Sequence, residues 1–272
     1  MKRRRLLFVA SIFLVAALLA PIRNPSRGDD PSLKLVDTQP SVPPKVAAKI
    51  IETESKEIQD ILSVAKVNNK DRKRAFTTTA VIAGMADANS KDPKFAAIRD
   101  QAIKMLDALV KEDLAMAKEH ATGLLDGKAT GSAKKTDLHM YFWDAANANF
   151  DRDLVMQLFK SQRAGGKGFE STIKNWIAAP PNESDLEKAR ITAYEIATLA
   201  DIIEKVAPGP GPGVFPAKWI QFSKELKEAA KEAAKKNSRD DMRKAMNKLD
   251  TACVNCHNLF KKNLPLPPPP KP

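Results

Sequence analysis

Two cysteines and a histidine near the C-terminus have the spacing of a chemical site. Cys253, Cys256 and His257 lie in the sequence C-V-N-C-H, and the 272-residue chain has no other cysteine. On a helix these positions stand at i, i+3 and i+4, so their side chains leave one face. Two thiols followed by an imidazole form the attachment signature of c-type haem, in which the thiols bond to the vinyl groups and the histidine ligates iron. The pattern predicts one covalently attached haem c, with His257 as the axial ligand.

Three other chemistries compete for the two thiols. Zinc takes about four nitrogen or sulfur ligands, and beyond this cluster the sequence offers only His120 and His139. A thioredoxin-like dithiol follows a βαβ pattern, which is missing here. A disulfide between residues one helical turn apart would constrain almost nothing. A dithiol, a metal site and a disulfide stay the alternatives to haem.

The N-terminus predicts export. Basic residues at positions 2–5 precede an apolar run from Leu6 to Ala20, which suits a secretory signal and is shorter than the roughly 20 residues of a membrane span. Residues 1–20 are therefore predicted to be a signal peptide or, if they are not cleaved, an N-terminal anchor. We expect a periplasmic protein, with attachment to the outer face of the inner membrane as the alternative. Haem c is attached on that side of the membrane.

The remaining residues predict two helical bundles between proline-rich ends. Prolines mark residues 21–44 as a linker and residues 263–272 as a polyproline tail. Between them, abundant alanine, lysine, leucine and glutamate without strand-like alternation predict an all-α fold. We expect a haem-free helical bundle over 45–163, followed over 168–262 by an antiparallel four-helix bundle that carries the C-terminal haem c.

The sequence also contains a signal of internal duplication. The stretch from Glu57 to Asp87 aligns without a gap with the stretch from Ser171 to Asp201, and pairs I-A-G-M-A-D with I-A-T-L-A-D. Similar helical compositions produce such matches by chance as well. If the duplication is real, the first half is a bundle that lacks its haem.

The C-terminal segment resembles a known family. From Trp219 to Lys262 it has W-x2-F, an alanine-rich continuation, an acidic turn and L-x3-C-x2-C-H-x2-F-K, and it is similar to the last two helices of class II cytochromes c, the cytochrome c′ type. The Gly165 turn, G-G-K-G, is more loosely similar to exported haem proteins of planctomycete type. The resemblance implies haem attachment at Cys253 and Cys256. It also implies Phe260 and Lys261 beside the haem, and a homodimer through the first helix of the bundle.

The resemblance also implies that the first helix of the haem bundle determines the sixth iron ligand, as in the cytochrome c′ type. A helix from Phe169 to Ile177 contains no methionine or histidine, so Phe169, Ile173 or Trp176 would cover an open iron. If the bundle instead begins with a helix over 151–163, Met156 becomes the sixth ligand. Weaker candidates are His139 and Met140, and His120 is expected to be a solvated surface residue.

Three functions fit these observations. The first is electron transfer with a periplasmic redox partner. The second is binding of a small gas, NO or CO, at five-coordinate iron. The third is docking of a partner by the haem-free bundle, with the haem secondary. No acid–base constellation accompanies the motif, so an enzyme is not predicted. The net charge of +12 is interleaved with acidic residues, which is typical of a solvated surface and does not indicate nucleic-acid binding.

Overall fold

The computed structural model describes residues 42–126, 154–206 and 216–260, and every regular element in these ranges is a helix. The prediction of an all-α fold is therefore confirmed for this part of the chain. The α-helices here are α1 (Pro44–Ser63), α2 (Asn69–Ala88), α3 (Pro93–Val110), α4 (Leu114–Asp126), α5 (Phe169–Ala178), α6 (Glu183–Lys205), α7 (Pro216–Ala234) and α8 (Arg239–Phe260). Two short 3₁₀ segments, Leu154–Phe159 and Gln162–Ala164, precede α5.

The first four helices pack in a closed order. Helix α1 lies against both α2 and α4, while α3 lies between α2 and α4. Their inward faces are apolar and fully buried, with Ile58, Phe76 and Leu106 among the largest side chains without solvent contact. Burial of such stripes, at ~25 cal/mol per Å² of apolar area, is the main force that holds amphipathic helices together.

The last four helices form a second packed group. Helix α5 lies against α8, α7 lies against both α6 and α8, and α6 also reaches α8. The helices of the second group therefore contact each other in the same order as those of the first. The difference is that α5 and α6 do not make the extensive contact that α1 and α2 make. The two groups meet where α2 packs against α6 and against the first 3₁₀ segment. One continuous apolar core runs through both groups.

The two aligned stretches also share a helix cap. The side chain of Asn68 accepts a hydrogen bond from the Asp71 backbone N–H at 3.0 Å, and that of Asn182 accepts one from Asp185 at 2.9 Å. Asparagine at this position satisfies one of the free N–H groups of the first helical turn. Helices α2 and α6 therefore begin in the same way, although the duplication itself stays a prediction.

The structure also places the ends of the predicted segments. Helix α1 already begins at Pro44, and Val42 is buried, so the C-terminal end of the 21–44 linker belongs to the packed part of the chain. The predicted signal, residues 1–20, and the predicted tail, residues 263–272, lie outside the described residues. Among the helices that are described, none has the length and apolar character needed to span a membrane.

Candidate functional site

Helix α8 carries the cysteines and the histidine in its last turns. The helix starts at a Ser238 cap, whose hydroxyl oxygen accepts a hydrogen bond from the Asp241 N–H at 3.2 Å. A buried stripe then anchors it to the core through Met242, Ala245, Met246, Leu249 and Ala252. The helix continues through the motif to Phe260. Cys253, Cys256 and His257 therefore stand on one α-helix at the spacing that places their side chains on a common face.

The two thiols are half-buried and are not joined in a disulfide, whereas His257 is exposed. Burial, reinforced by the nearby Asp250 carboxylate, raises the pKa of Cys253 to about 12. Burial alone raises the pKa of Cys256 to about 11. Both side chains are thus neutral thiols at physiological pH when no group is bound to them.

A metal cluster is also absent from the part of the chain that the structure describes. Within residues 42–126, 154–206 and 216–260, no group of three or more histidine, cysteine, aspartate or glutamate side chains converges as a metal site would. The structure therefore adds no ligand there to the three motif residues Cys253, Cys256 and His257.

Helix α5 lies against the motif helix. It packs on α8, and the charges of Glu170 and Lys174 on α5 reach Cys253. Phe169, Ile173 and Trp176, the three residues predicted to cover a haem, are all buried on this helix. Phe169 packs edge-on against Phe159 of the first 3₁₀ segment, with the ring centroids 5.7 Å apart. The predicted wall residues therefore lie on one face of a helix that neighbours the motif.

An aromatic cluster follows the motif at the end of α8. Phe260 contacts Trp219 and Phe222 of α7 edge-on, with centroid separations of 5.4 and 6.2 Å. The Trp219 indole N–H donates to the backbone carbonyl of Ile203 at 2.6 Å, which joins α7 to the end of α6. Trp219 and Phe222 were not among the predicted site residues, although the W-x2-F pattern would have indicated them.

The other predicted ligands lie elsewhere. Met156 is half-buried in the first 3₁₀ segment, whose main contacts are with α2, α5 and α6. The described part of 151–163 forms two short 3₁₀ segments in place of an α-helix. Met156 as a sixth ligand stays a prediction. His139, Met140 and Lys261 lie outside the described residues.

His120 differs from the expectation of a solvated surface residue. Its ring is half-buried, and its Nδ1 atom lies 3.1 Å from Oε1 of Gln101. Burial lowers its pKa. The lysines and acids beside it in sequence suggested full exposure, but they lie on other faces of the helix.

The donor set on α8 fits a covalently held haem. Haem attachment needs two S–H groups and an accessible imidazole on one helix face, and Cys253, Cys256 and His257 supply them. A groove of about 550 Å³ also lies between α7 and α8. It is a poor match for a haem, because charged side chains dominate its lining. Asn255, which belongs to the motif, lines this groove. It stands two positions before His257 and therefore lies on the opposite side of helix α8 from the histidine.

Comparison of the chain with protein-family models, with curated proteins and with solved structures finds no match. The resemblance to class II cytochromes c therefore depends on the residues of the C-terminal segment alone.

Proposed function

We propose that this chain is an exported monohaem c-type cytochrome that transfers electrons. The observation that carries the proposal is the C-x2-C-H motif on the last turns of α8, with both thiols free and the imidazole exposed. In this proposal the residues from 168 to 262 act as a four-helix haem bundle, and the protein works in the periplasm with a redox partner. The family resemblance supports this arrangement.

Each residue of the motif has a distinct task in the proposal. Cys253 and Cys256 would hold the haem through thioether bonds, each formed by addition of an S–H group across a vinyl double bond, so that no oxidant would be needed. His257 offers a ring nitrogen to the iron. The bound haem supplies a one-electron iron couple.

Gas binding is the second candidate function, and the composition of α5 favours it. The buried residues of this helix, Phe169, Ile173 and Trp176, contain no group that ligates iron. An apolar wall leaves the sixth position open to CO or NO, whereas a methionine would close it and favour electron transfer. The two candidates therefore differ in whether a second residue of the chain, besides His257, would bind the iron.

The first experiment tests attachment. The full chain is expressed in a bacterial host with a cytochrome c maturation system, and covalent haem is measured by its absorption after denaturation. We expect one haem per chain in the wild type and none in a Cys253→Ser, Cys256→Ser double variant. A His257→Ala variant should retain the covalent bonds but change the iron spectrum. Absence of haem from the wild type would refute the proposal.

The second experiment separates electron transfer from gas binding. Ferric and ferrous spectra are recorded with and without CO, for the wild type and for a Met156→Ala variant. A low-spin spectrum that responds to CO only after Met156 is replaced would support an electron carrier. A spectrum that responds to CO in both proteins would support gas binding. The exported location is checked by recovery of the protein in the periplasmic or the membrane fraction.

A further inference from the structure

A buried ion cluster lies where the two groups of helices meet. The ammonium group of Lys167 contacts the carboxylate of Glu54 and lies 2.9 Å from Oε1 of Glu195. Glu57 approaches the same nitrogen at 3.4 Å and also pairs with Arg74. The side chains of Lys167, Glu54 and Glu195 are only 9%, 6% and 4% exposed. Buried charges of this kind are costly unless they are paired, so the cluster must be nearly neutral.

The charges of the cluster balance only if one carboxyl group is protonated. Lys167 and Arg74 carry two positive charges, whereas Glu54, Glu57 and Glu195 would carry three negative ones. Burial and the neighbouring Glu195 carboxylate raise the pKa of Glu54 to about 8. Glu54 is therefore the group that holds the proton at neutral pH. Above about pH 8, Glu54 ionises and the cluster acquires an uncompensated negative charge.

The backbone holds Lys167 firmly in this position. Lys167 lies in the G-G-K-G turn, where Gly165 and Gly168 have φ values of 77° and 78°, in the left-handed region that glycine tolerates. The N–H groups of Lys167 and Gly168 donate to the carbonyls of Leu158 and Lys160 at 3.1 and 2.8 Å. The lysine is thus attached to a fixed turn, and α5 begins two residues later, at Phe169.

The cluster connects helices that are distant in sequence. Glu54 and Glu57 belong to α1, Arg74 to α2 and Glu195 to α6, while Lys167 lies two residues before the start of α5. We propose that Lys167, held between Glu54 and Glu195, is a positioning residue through which the N-terminal helices set the placement of α5 against the motif helix α8. The inference extends the proposed function, because α5 carries the residues proposed to cover the haem. It gives the haem-free helices a role in tuning that site.

Ionisation of Glu54 would weaken this positioning. Once Glu54 loses its proton, the groups that face it are Lys167, the carboxylates of Glu195 and Glu57, and Arg74 beyond Glu57. Two of these are like charges in a site with little water, and like charges at short range repel strongly there. The turn before α5 should then loosen, and the environment of the haem site should change with pH.

Hydrogen exchange of the full-length protein, as purified, tests the inference without depending on haem activity. Peptides that cover α5 are compared with peptides that cover α3, after correction for the intrinsic pH dependence of exchange. Between about pH 6 and pH 9 we expect α5 exchange in the wild type to rise about tenfold relative to α3, as local opening becomes easier. In Glu54→Gln the ratio should stay constant, because glutamine cannot ionise. Lys167→Met should raise α5 exchange at all pH values.

Each outcome decides the inference. The inference would be overturned if the ratio of α5 to α3 exchange rates stayed constant with pH in the wild type. It would also be overturned if this ratio rose equally in Glu54→Gln. If Lys167→Met fails to fold, the two pH series still decide. Where haem is attached, the rate of CO binding to the ferrous protein, or the ferrous spectrum if CO does not bind, should vary with pH in the wild type and not in Glu54→Gln. A chain that exchanges as expected but holds no haem would refute the proposed function and leave the positioning role standing.

Discussion

Replacing Glu54 by glutamine is expected to remove a large pH dependence from the stability of this protein. The structure raises the pKa of this carboxyl group from 4.5 to about 8. The unfolded chain therefore ionises Glu54 at a lower pH than the folded chain does. The favourable contribution of the protonated form is complete below about pH 4.5 and is lost progressively until the pH reaches about 8.

The size of the effect follows from the difference between the pKa of Glu54 in the unfolded chain and its pKa in the folded chain. Each pH unit in this window changes the free energy of unfolding by ~1.4 kcal/mol, so the wild type should lose about 5 kcal/mol between pH 4.5 and pH 8. Lys167, whose pKa the carboxylates raise, stays charged in both states throughout the window and does not offset the loss. At pH 7 the glutamine variant should be more stable than the wild type by about 3 kcal/mol.

The variant preserves the packing of the cluster. Glutamine has the shape of glutamic acid, and its side-chain oxygen still accepts a hydrogen bond from the Lys167 ammonium group. The remaining charges are those of Lys167, Arg74, Glu57 and Glu195, which balance. The substitution therefore fixes the neutral form of residue 54 without opening a cavity.

Denaturant unfolding followed by circular dichroism measures the effect at several values between about pH 5 and pH 8. Glu52→Gln is the matched control, because Glu52 lies on the same helix, is exposed and pairs with Lys56 on the protein surface. Its stability should follow that of the wild type. Titration of His120 acts in all three proteins and cancels in the differences between them. A wild-type stability that does not fall in this window, or a Glu54→Gln variant that falls in parallel with it, would refute the reasoning.

Two further substitutions test other parts of the structure. Gly166→Ala should reduce stability by about 2–3 kcal/mol, because a Cβ atom there would overlap the backbone carbonyl of Lys160, which cannot move aside. Gly123→Ala is the control, because a Cβ atom there meets only the end of a glutamine side chain, and its thermal midpoint should change little. An equal loss of stability in both variants would contradict the proposed clash at Gly166. Trp219→Phe should cost about 1–2 kcal/mol, since the buried carbonyl of Ile203 loses its indole donor. Unchanged denaturant unfolding of this last variant would show that water replaces the bond.

Much of the helical architecture could be predicted from the sequence. Helix breaks near Asn68 and Pro180 follow from capping asparagine and from proline, which are local signals. The apolar stripe of α8 follows from spacing at three and four residues, and Cys253 is partly buried against the core beside this stripe. The turn between Val110 and Leu114 has no comparable signal, since neither proline nor glycine lies there. There Glu112 adopts a left-handed conformation with φ at 61°, which its residue type does not signal.

The sequence by itself determines the C-x2-C-H spacing, the helical periodicity and the glycines of the turn around Lys167, because each is a matter of residues close together in the chain. Only the tertiary structure decides that Lys167 meets Glu54, 113 residues away, and Glu195, 28 residues away. In sequence all three look like ordinary solvated charges. Their burial arises where the N-terminal helices pack against α6, and contacts between distant segments leave no mark in local periodicity. The same packing brings α5 against the motif helix.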